Sequence, residues 1–329
     1  MRYDPAVRAI LPADRESPVP RVGDLPDPVP GPGEVLVAVE AAGLNHADLF
    51  QLRGQYPPPP GESDVPGLEC AGVVLEAEKG SPWQPGARVM ALMGGGAHAT
   101  RAAIPAGQLM PVPDNLSLSE GAAIPEAGLT SWTNLVAEGG LEAGEAVLVT
   151  GATGGMGSFA AQLARELGAR VLAAGRSRER LDMLRGLGIE EVCLEGANLA
   201  RQVRDATGGR GVDLVIDFTG GPDFGSHLGA LADRGRLVLV GLVSGRKAEL
   251  ELGPIMSRRL RIVGSVLRAR PREEKAGLVA DFAAFALPRL RDGRLRPVVD
   301  RTLPLERADE AYKALERGGV FGKIILTMA

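Results

Sequence analysis

The chain has 329 residues, 45 % of them apolar, a net charge of −4 and only two cysteines. That length points to two domains with a sizeable core, the charge excludes a general attraction to nucleic acid or anionic membrane, and two cysteines exclude a disulfide framework and fit a reducing compartment. No apolar run is long enough to span a bilayer, and the first residues carry prolines and charges where a signal peptide needs an apolar core, so the expectation is a cytoplasmic protein without membrane or nucleic-acid partners.

The first 120 residues are dense in proline and broken into short alternating runs such as Glu34-Val35-Leu36-Val37-Ala38-Val39-Glu40. This is the pattern of a β-rich domain. From about Ala122 strands alternate with helices. Val147-Leu148-Val149-Thr150 reads as a buried strand, Gly151-Ala152-Thr153-Gly154-Gly155-Met156-Gly157 as a glycine-rich turn, and Phe159, Leu163 and Leu167 recur at helical spacing up to Gly168. Such a turn lets the backbone approach a pyrophosphate and aims the free amides of a helix N-terminus at it. Gly154 and Gly157 fit the second and third glycines of that fingerprint, and Ala152 stands where the first is usual. Alone, the turn fits any α/β protein; the strand Val171-Leu172-Ala173-Ala174 at βαβ distance favours a dinucleotide site.

Val212–Asp217, Arg236–Gly241 and Leu260–Ser265 are three further buried-strand candidates, which together predict a parallel, doubly wound sheet. An amphipathic stretch over 272–291, a helix over 306–317 and a strand Lys323–Leu326 are expected to return to the first domain. The predicted organisation is α/β: a Rossmann-type dinucleotide-binding domain at 123–266 inserted in a β-rich catalytic domain made of 1–122 and 267–329. Ligands in such sheets sit beyond the strand C-termini, which selects Phe218, Gly241, Leu242, Val243 and Leu267 as cofactor-binding candidates beside Ala152 to Gly157; turn and core roles are the alternative.

Cofactor choice turns on the end of the second strand, where a carboxylate would bond the adenosine ribose and repel a 2′-phosphate. Gly175 occupies that place, followed by Arg176, Ser177 and Arg180. Arginine can grip a phosphate bidentately and no acid stands at Gly175, so NADPH is expected over NADH. Ser177 is equally a good N-cap and Arg180 a candidate for a solvated face.

Gly43-Leu44-Asn45-His46-Ala47-Asp48, Gly54-Gln55-Tyr56, Pro66-Gly67-Leu68-Glu69-Cys70-Ala71-Gly72, Ala122-Ala123-Ile124-Pro125-Glu126-Ala127-Gly128-Leu129-Thr130, Arg268-Ala269-Arg270 and Phe321-Gly322-Lys323 span the chain. Through them it resembles the zinc-free quinone oxidoreductases of the medium-chain dehydrogenase/reductase superfamily, closest in pattern to the tumour-suppressor-induced, zeta-crystallin-like branch. The resemblance implies a barrel-like, GroES-like first domain and an NADPH-dependent enzyme. Where zinc members place ligands this chain has Leu44-Asn45 and Leu68, and His46, His98 and His227 form no cluster pattern, so no metal is expected. Without a Lewis acid, acceptors that take hydride readily are favoured, quinones first; enones, 2-alkenals or enoyl thioesters are the alternative, and a structural or RNA-associated cofactor-binding role the lesser one.

By the same resemblance Asn45 lies at the nicotinamide end, Thr130 contacts the carboxamide region, and the family's serine-then-lysine pattern is matched by Ser177 and Arg180. Tyr56 either hydrogen-bonds the acceptor oxygen or walls the pocket; Lys323 either faces the cofactor or is solvated. Glu195 stands where relatives often have a phosphate-contacting tyrosine, and His98 and Arg101 replace residues near their pocket rim. Relatives pair through the edges of their nucleotide-binding sheets, so a homodimer or homotetramer is expected, with 260–267 as the edge.

Overall fold

The computed structural model describes residues 6–12 and 19–328. Two compact units divide the chain: Met1–Leu129 with Arg268–Arg291 and Pro297–Ala329, and Thr130–Leu267 with Asp292–Arg296.

In the first unit β1 (Ala6–Ile10) and β2 (Val22–Pro26) form an antiparallel pair. β3 (Glu34–Gly43), α1 (His46–Leu52), β4 (Glu69–Ala77), β5 (Arg88–Leu92), β6 (Arg101–Pro105) and β7 (Leu109–Pro111) follow, then the short α2 (Leu118–Gly121) and α3 (Pro125–Trp132). β3 buries Val35, Val37 and Val39 at the two-residue period of a half-buried strand.

The second unit alternates strand and helix: β8 (Ala146–Val149), α4 (Gly155–Glu166), β9 (Arg170–Gly175), α5 (Arg178–Met183), β10 (Glu191–Leu194), α6 (Leu199–Ala206), β11 (Val212–Asp217), α7 (Phe224–Ala230), β12 (Leu231–Leu239), α8 (Gly253–Ser257) and β13 (Arg261–Gly264). All pairings in the sheet are parallel, in the order β10-β9-β8-β11-β12-β13. Strand order reverses between β8 and β11, the switch point of a Rossmann-type sheet. The inner strands are apolar because helices cover both faces of a parallel sheet, and Leu148, Leu172, Val215 and Leu237 are fully buried. Leu260–Ser265 forms the sheet edge expected of 260–267, with β12 as its one neighbour among the described strands, but it is not the buried strand its apolar run suggests: Ile262 is 43 % exposed.

α9 (Arg272–Arg291), β14 (Val299–Pro304), α10 (Ala308–Arg317) and β15 (Lys323–Thr327) complete the first unit. β15 enters between β14 and β3 in the order β14-β15-β3-β4-β5-β7, with β6 also paired to β3. α9 buries Val279, Phe282, Ala286 and Leu290, one stripe at spacings of three and four. Phe282 lies so close over Gly128 that a Cβ there would stand 2.3 Å from the ring. Among the described residues no helix is long and apolar enough to cross a membrane.

Candidate active site

In the second unit the chain leaves β8 and turns through Gly151 at φ +57°, a left-handed conformation that suits glycine. Ala152 is fully buried and donates its N–H to Ala174 of β9 at 2.8 Å, which holds the turn against the neighbouring strand. α4 begins after Gly154 with no side-chain cap. The amides of Gly155, Met156 and Gly157 therefore have no intrahelical acceptor, and the helix dipole favours an anion there. A Cβ on Gly157 would stand 2.4 Å from the Gly151 carbonyl oxygen and 2.6 Å from Ala152 Cα, so only glycine lets the helix start this close to the turn.

β9 ends at Gly175, wedged between Thr153 and Leu181, with 3.4 and 3.2 Å left to a Cβ. Ser177 is the N-cap of α5 and accepts the Arg180 N–H at 3.4 Å. Arg176 is exposed. Arg180 is half-buried and its Nε is buried without a partner. Uncapped amides and an unpartnered Arg180 Nε are a donor set that fits a phosphorylated dinucleotide. Among the described residues Glu195, just after β10, is not paired with Arg176; its Oε1 accepts the Gly151 N–H at 2.7 Å.

Beyond β11 and β12, Phe218 is buried and a Cβ on Gly241 would stand 2.3 Å from its carbonyl oxygen, while Leu242 and Val243 are 38 and 44 % exposed. Leu267 is buried, as is Thr130, whose carbonyl accepts Asn134 Nδ2 at 2.7 Å. Under this rim lies a network that sequence reading missed. Asp217 Oδ1 accepts bonds from the Thr150 and Thr219 hydroxyls at 3.1 and 2.9 Å and from the N–H groups of Thr219 and Gly220, and Oδ2 meets His227 Nδ1 at 2.9 Å. Burial pushes the Asp217 carboxyl up, but the bond and charge of His227 and the two amides outweigh it and hold the group below the usual carboxylate range.

The first unit contains a second buried polar cluster. Asn45 is the N-cap of α1 and donates its backbone N–H to Asp48 Oδ2 at 2.8 Å in a capping box, which gives Asp48 the cap role that turn chemistry suggests. The Asn45 carboxamide is held from both ends: Oδ1 accepts Lys323 Nζ at 2.7 Å and Nδ2 donates to Glu69 Oε1 at 2.9 Å. Lys323, 4 % exposed, pairs directly with fully buried Glu69 and is not solvated. Glu69 Oε2 also accepts the Glu126 N–H at 2.9 Å in the first turn of α3, so one carboxylate neutralises the ammonium and caps a helix. Lys323 and Glu69 are 254 residues apart, and no local pattern links them.

Tyr56 is half-buried, with the Arg268 guanidinium 5.0 Å from its ring centroid. Arg268 also donates to the Tyr56 carbonyl at 3.0 Å, the Gly94 carbonyl at 2.7 Å and Gln51 Oε1 at 2.6 Å. Burial, with the negative charge of Glu126 and against the pull of Arg268, raises the Tyr56 hydroxyl above its ordinary value, so it is a neutral hydrogen-bond donor at pH 7. His98 is not at a rim: it is fully buried, with Nδ1 2.9 Å from Tyr312 Oη. Arg101 pairs with Asp27 at 2.6 Å. Cys70 lies 3.6 Å from Met93 Sδ, and burial followed by the Glu69 charge pushes its thiol up to about 12, which leaves it unreactive. These side chains can position and hydrogen-bond a substrate, and none is arranged as an activated nucleophile.

A parallel sheet with an uncapped glycine turn at its switch point is the architecture of a dinucleotide-binding domain, and the chain's relatives make it an oxidoreductase. The chain matches the zinc-binding dehydrogenase family over residues 155–284 and the alcohol dehydrogenase GroES-like domain over residues 31–114. It is 30 % identical to the quinone oxidoreductase of Sus scrofa, over 93 % of this chain and 92 % of that one. It is also 35 % identical to the spectinabilin polyketide synthase system protein NorB of Streptomyces orinoci, over 90 % of this chain but only 13 % of that one. The quinone oxidoreductase from Thermus thermophilus, solved also as its complex with NADPH, aligns with a TM-score of 0.81 and 35 % identity over 98 % of this chain and 100 % of that one. The chain belongs to the quinone oxidoreductase family of the medium-chain dehydrogenase/reductase superfamily.

Proposed function

We propose that the chain is a zinc-independent reductase of the cytoplasm that transfers hydride from NADPH to a quinone. The observation that carries the cofactor part is the uncapped N-terminus of α4 together with the unpartnered Nε of Arg180. The α4 amides hold the pyrophosphate, and Arg176, Ser177 and Arg180 take the 2′-phosphate. Phe218, Gly241, Leu242, Val243 and Leu267 line the cofactor's path, and Asn45 and Thr130 are the contacts at its nicotinamide end. The nicotinamide, when bound, supplies the hydride. Lys323 and Glu69 fix the Asn45 carboxamide, and Tyr56, a neutral donor, bonds the acceptor oxygen. Water completes the protonation. Asn45 is oriented by an ammonium group, an unfavourable neighbour for a metal ion, so turnover is expected to survive chelation.

Relatedness to a polyketide synthase protein favours a second reading, reduction of an enoyl thioester or 2-alkenal, since polyketide chains are carried as thioesters. A spectrophotometric panel of quinones, 2-alkenals and enoyl thioesters, run with NADPH and NADH, separates the readings. Steady quinone turnover with NADPH supports the first, turnover confined to alkenals or thioesters supports the second, and no turnover of any acceptor overturns both. The same reading includes a dimer formed through the β13 edge.

A further inference from the structure

We infer that Glu195 is a cofactor-selectivity residue whose carboxylate opposes the 2′-phosphate; this rests on the dinucleotide reading above. In the sheet β10, β9 and β8 are consecutive neighbours, and Glu195, Gly175 and Gly151 lie just at or beyond their C-terminal ends. The Glu195 N–H donates to the Gly175 carbonyl at 3.0 Å, and its Oε1 accepts the Gly151 N–H at 2.7 Å. The side chain therefore starts beyond the third strand, passes the end of the second and docks on the turn after the first. In a dinucleotide-binding unit the end of the second strand is where a carboxylate receives the ribose hydroxyls and excludes a phosphate on them. Gly175 has no side chain to do this, and Glu195 brings the same chemistry to the same place from the next strand.

Only one carboxylate oxygen is engaged. Among the described residues Oε2 has no protein partner and no ion pair joins Glu195 to Arg176 or Arg180, so the negative charge is neither neutralised nor withdrawn. Two opposed devices then act on one ribose. The arginines attract a 2′-phosphate and Glu195 repels it while accepting a 2′-hydroxyl, so Glu195 narrows the wild type's preference for NADPH over NADH.

The test is a titration of wild type, Glu195→Gln and Glu195→Ala with NADPH and with NADH, followed by nicotinamide fluorescence. Glutamine keeps an oxygen for the Gly151 N–H, removes the charge and turns the second acceptor oxygen into a neutral NH2 donor. It is expected to raise the ratio of NADH to NADPH dissociation constants roughly tenfold, the scale of one charged hydrogen bond, with tighter NADPH and weaker NADH. The gain should shrink with added salt. An unchanged ratio in Glu195→Gln, or equal weakening of both cofactors in Glu195→Ala with no shift in Glu195→Gln, overturns the inference and leaves Glu195 a support for the turn. A wild type that binds neither cofactor overturns the proposed function as well, which distinguishes the two failures.

Discussion

Arg176 and Arg180 differ in a way their residue type does not reveal, since one is exposed and the other has a buried, unpartnered Nε. Replacing Arg176 by alanine is expected to raise the NADPH dissociation constant roughly tenfold, because a charge-assisted contact contributes about 1.5 to 3 kcal/mol, and to leave NADH binding nearly unchanged. Equal weakening of both cofactors in a fluorescence titration would refute that role. Asp217 makes a prediction about pH. Its carboxyl is held below the usual range in the fold, so its contribution to stability is present above the unfolded carboxylate pKa, about 3.9, and is lost as pH falls through the lower folded value. Asp217→Asn should be destabilised by about 2 kcal/mol or more at neutral pH, since buried donors and His227 lose a charged partner. Its melting temperature should also fall less steeply between neutral pH and pH 3 than that of wild type, and parallel curves for the two proteins would count against the assignment.

Among elements, α4 depends most on a single residue. Gly157→Ala would place a Cβ against backbone atoms of Gly151 and Ala152 at 2.4 to 2.6 Å, and backbone cannot rotate out of the way. The helix has to shift, at about 1 to 3 kcal/mol for an overpacked contact, and its amides leave the anion position. Both cofactors should bind more weakly, by roughly tenfold or more, while the melting temperature drops by a few degrees. Unaltered binding of both in isothermal titration would show that the close approach is dispensable. The N-terminus of α3 presents another case: its cap is Glu69, a strand residue, so reading the helix's own sequence for a cap finds nothing.

At the scale of the whole molecule, β13 leaves a sheet edge open, and the surface near it in sequence carries Leu252, Met256, Ile262 and Val266 at 66, 78, 43 and 52 % exposure. An uncovered apolar edge is an expected site of pairing with a second copy. Sedimentation of the wild type at micromolar concentration should show a dimer or larger, and Ile262→Lys should shift it toward monomer; a monomeric wild type would end this proposal. Strands, helices and the glycine turn are legible in the sequence because their signals are local: two- and 3.6-residue periods, a glycine where the backbone turns left-handed, a serine before a helix. The same locality makes Ser177 readable as a cap and Gly154 and Gly157 as parts of a tight strand-to-helix turn. Tertiary structure alone decided the partners of the polar groups. In sequence Lys323 is ambiguous and Asp217 is only the end of a buried strand; the fold pairs Lys323 with Glu69 and Asn45, sets Asp217 against His227, and sets the Glu195 carboxylate on the Gly151 N–H. The physical reason is range: a backbone preference is set by neighbours in sequence, whereas the environment of a buried charge is set by whichever residues the fold brings within a few ångströms of it.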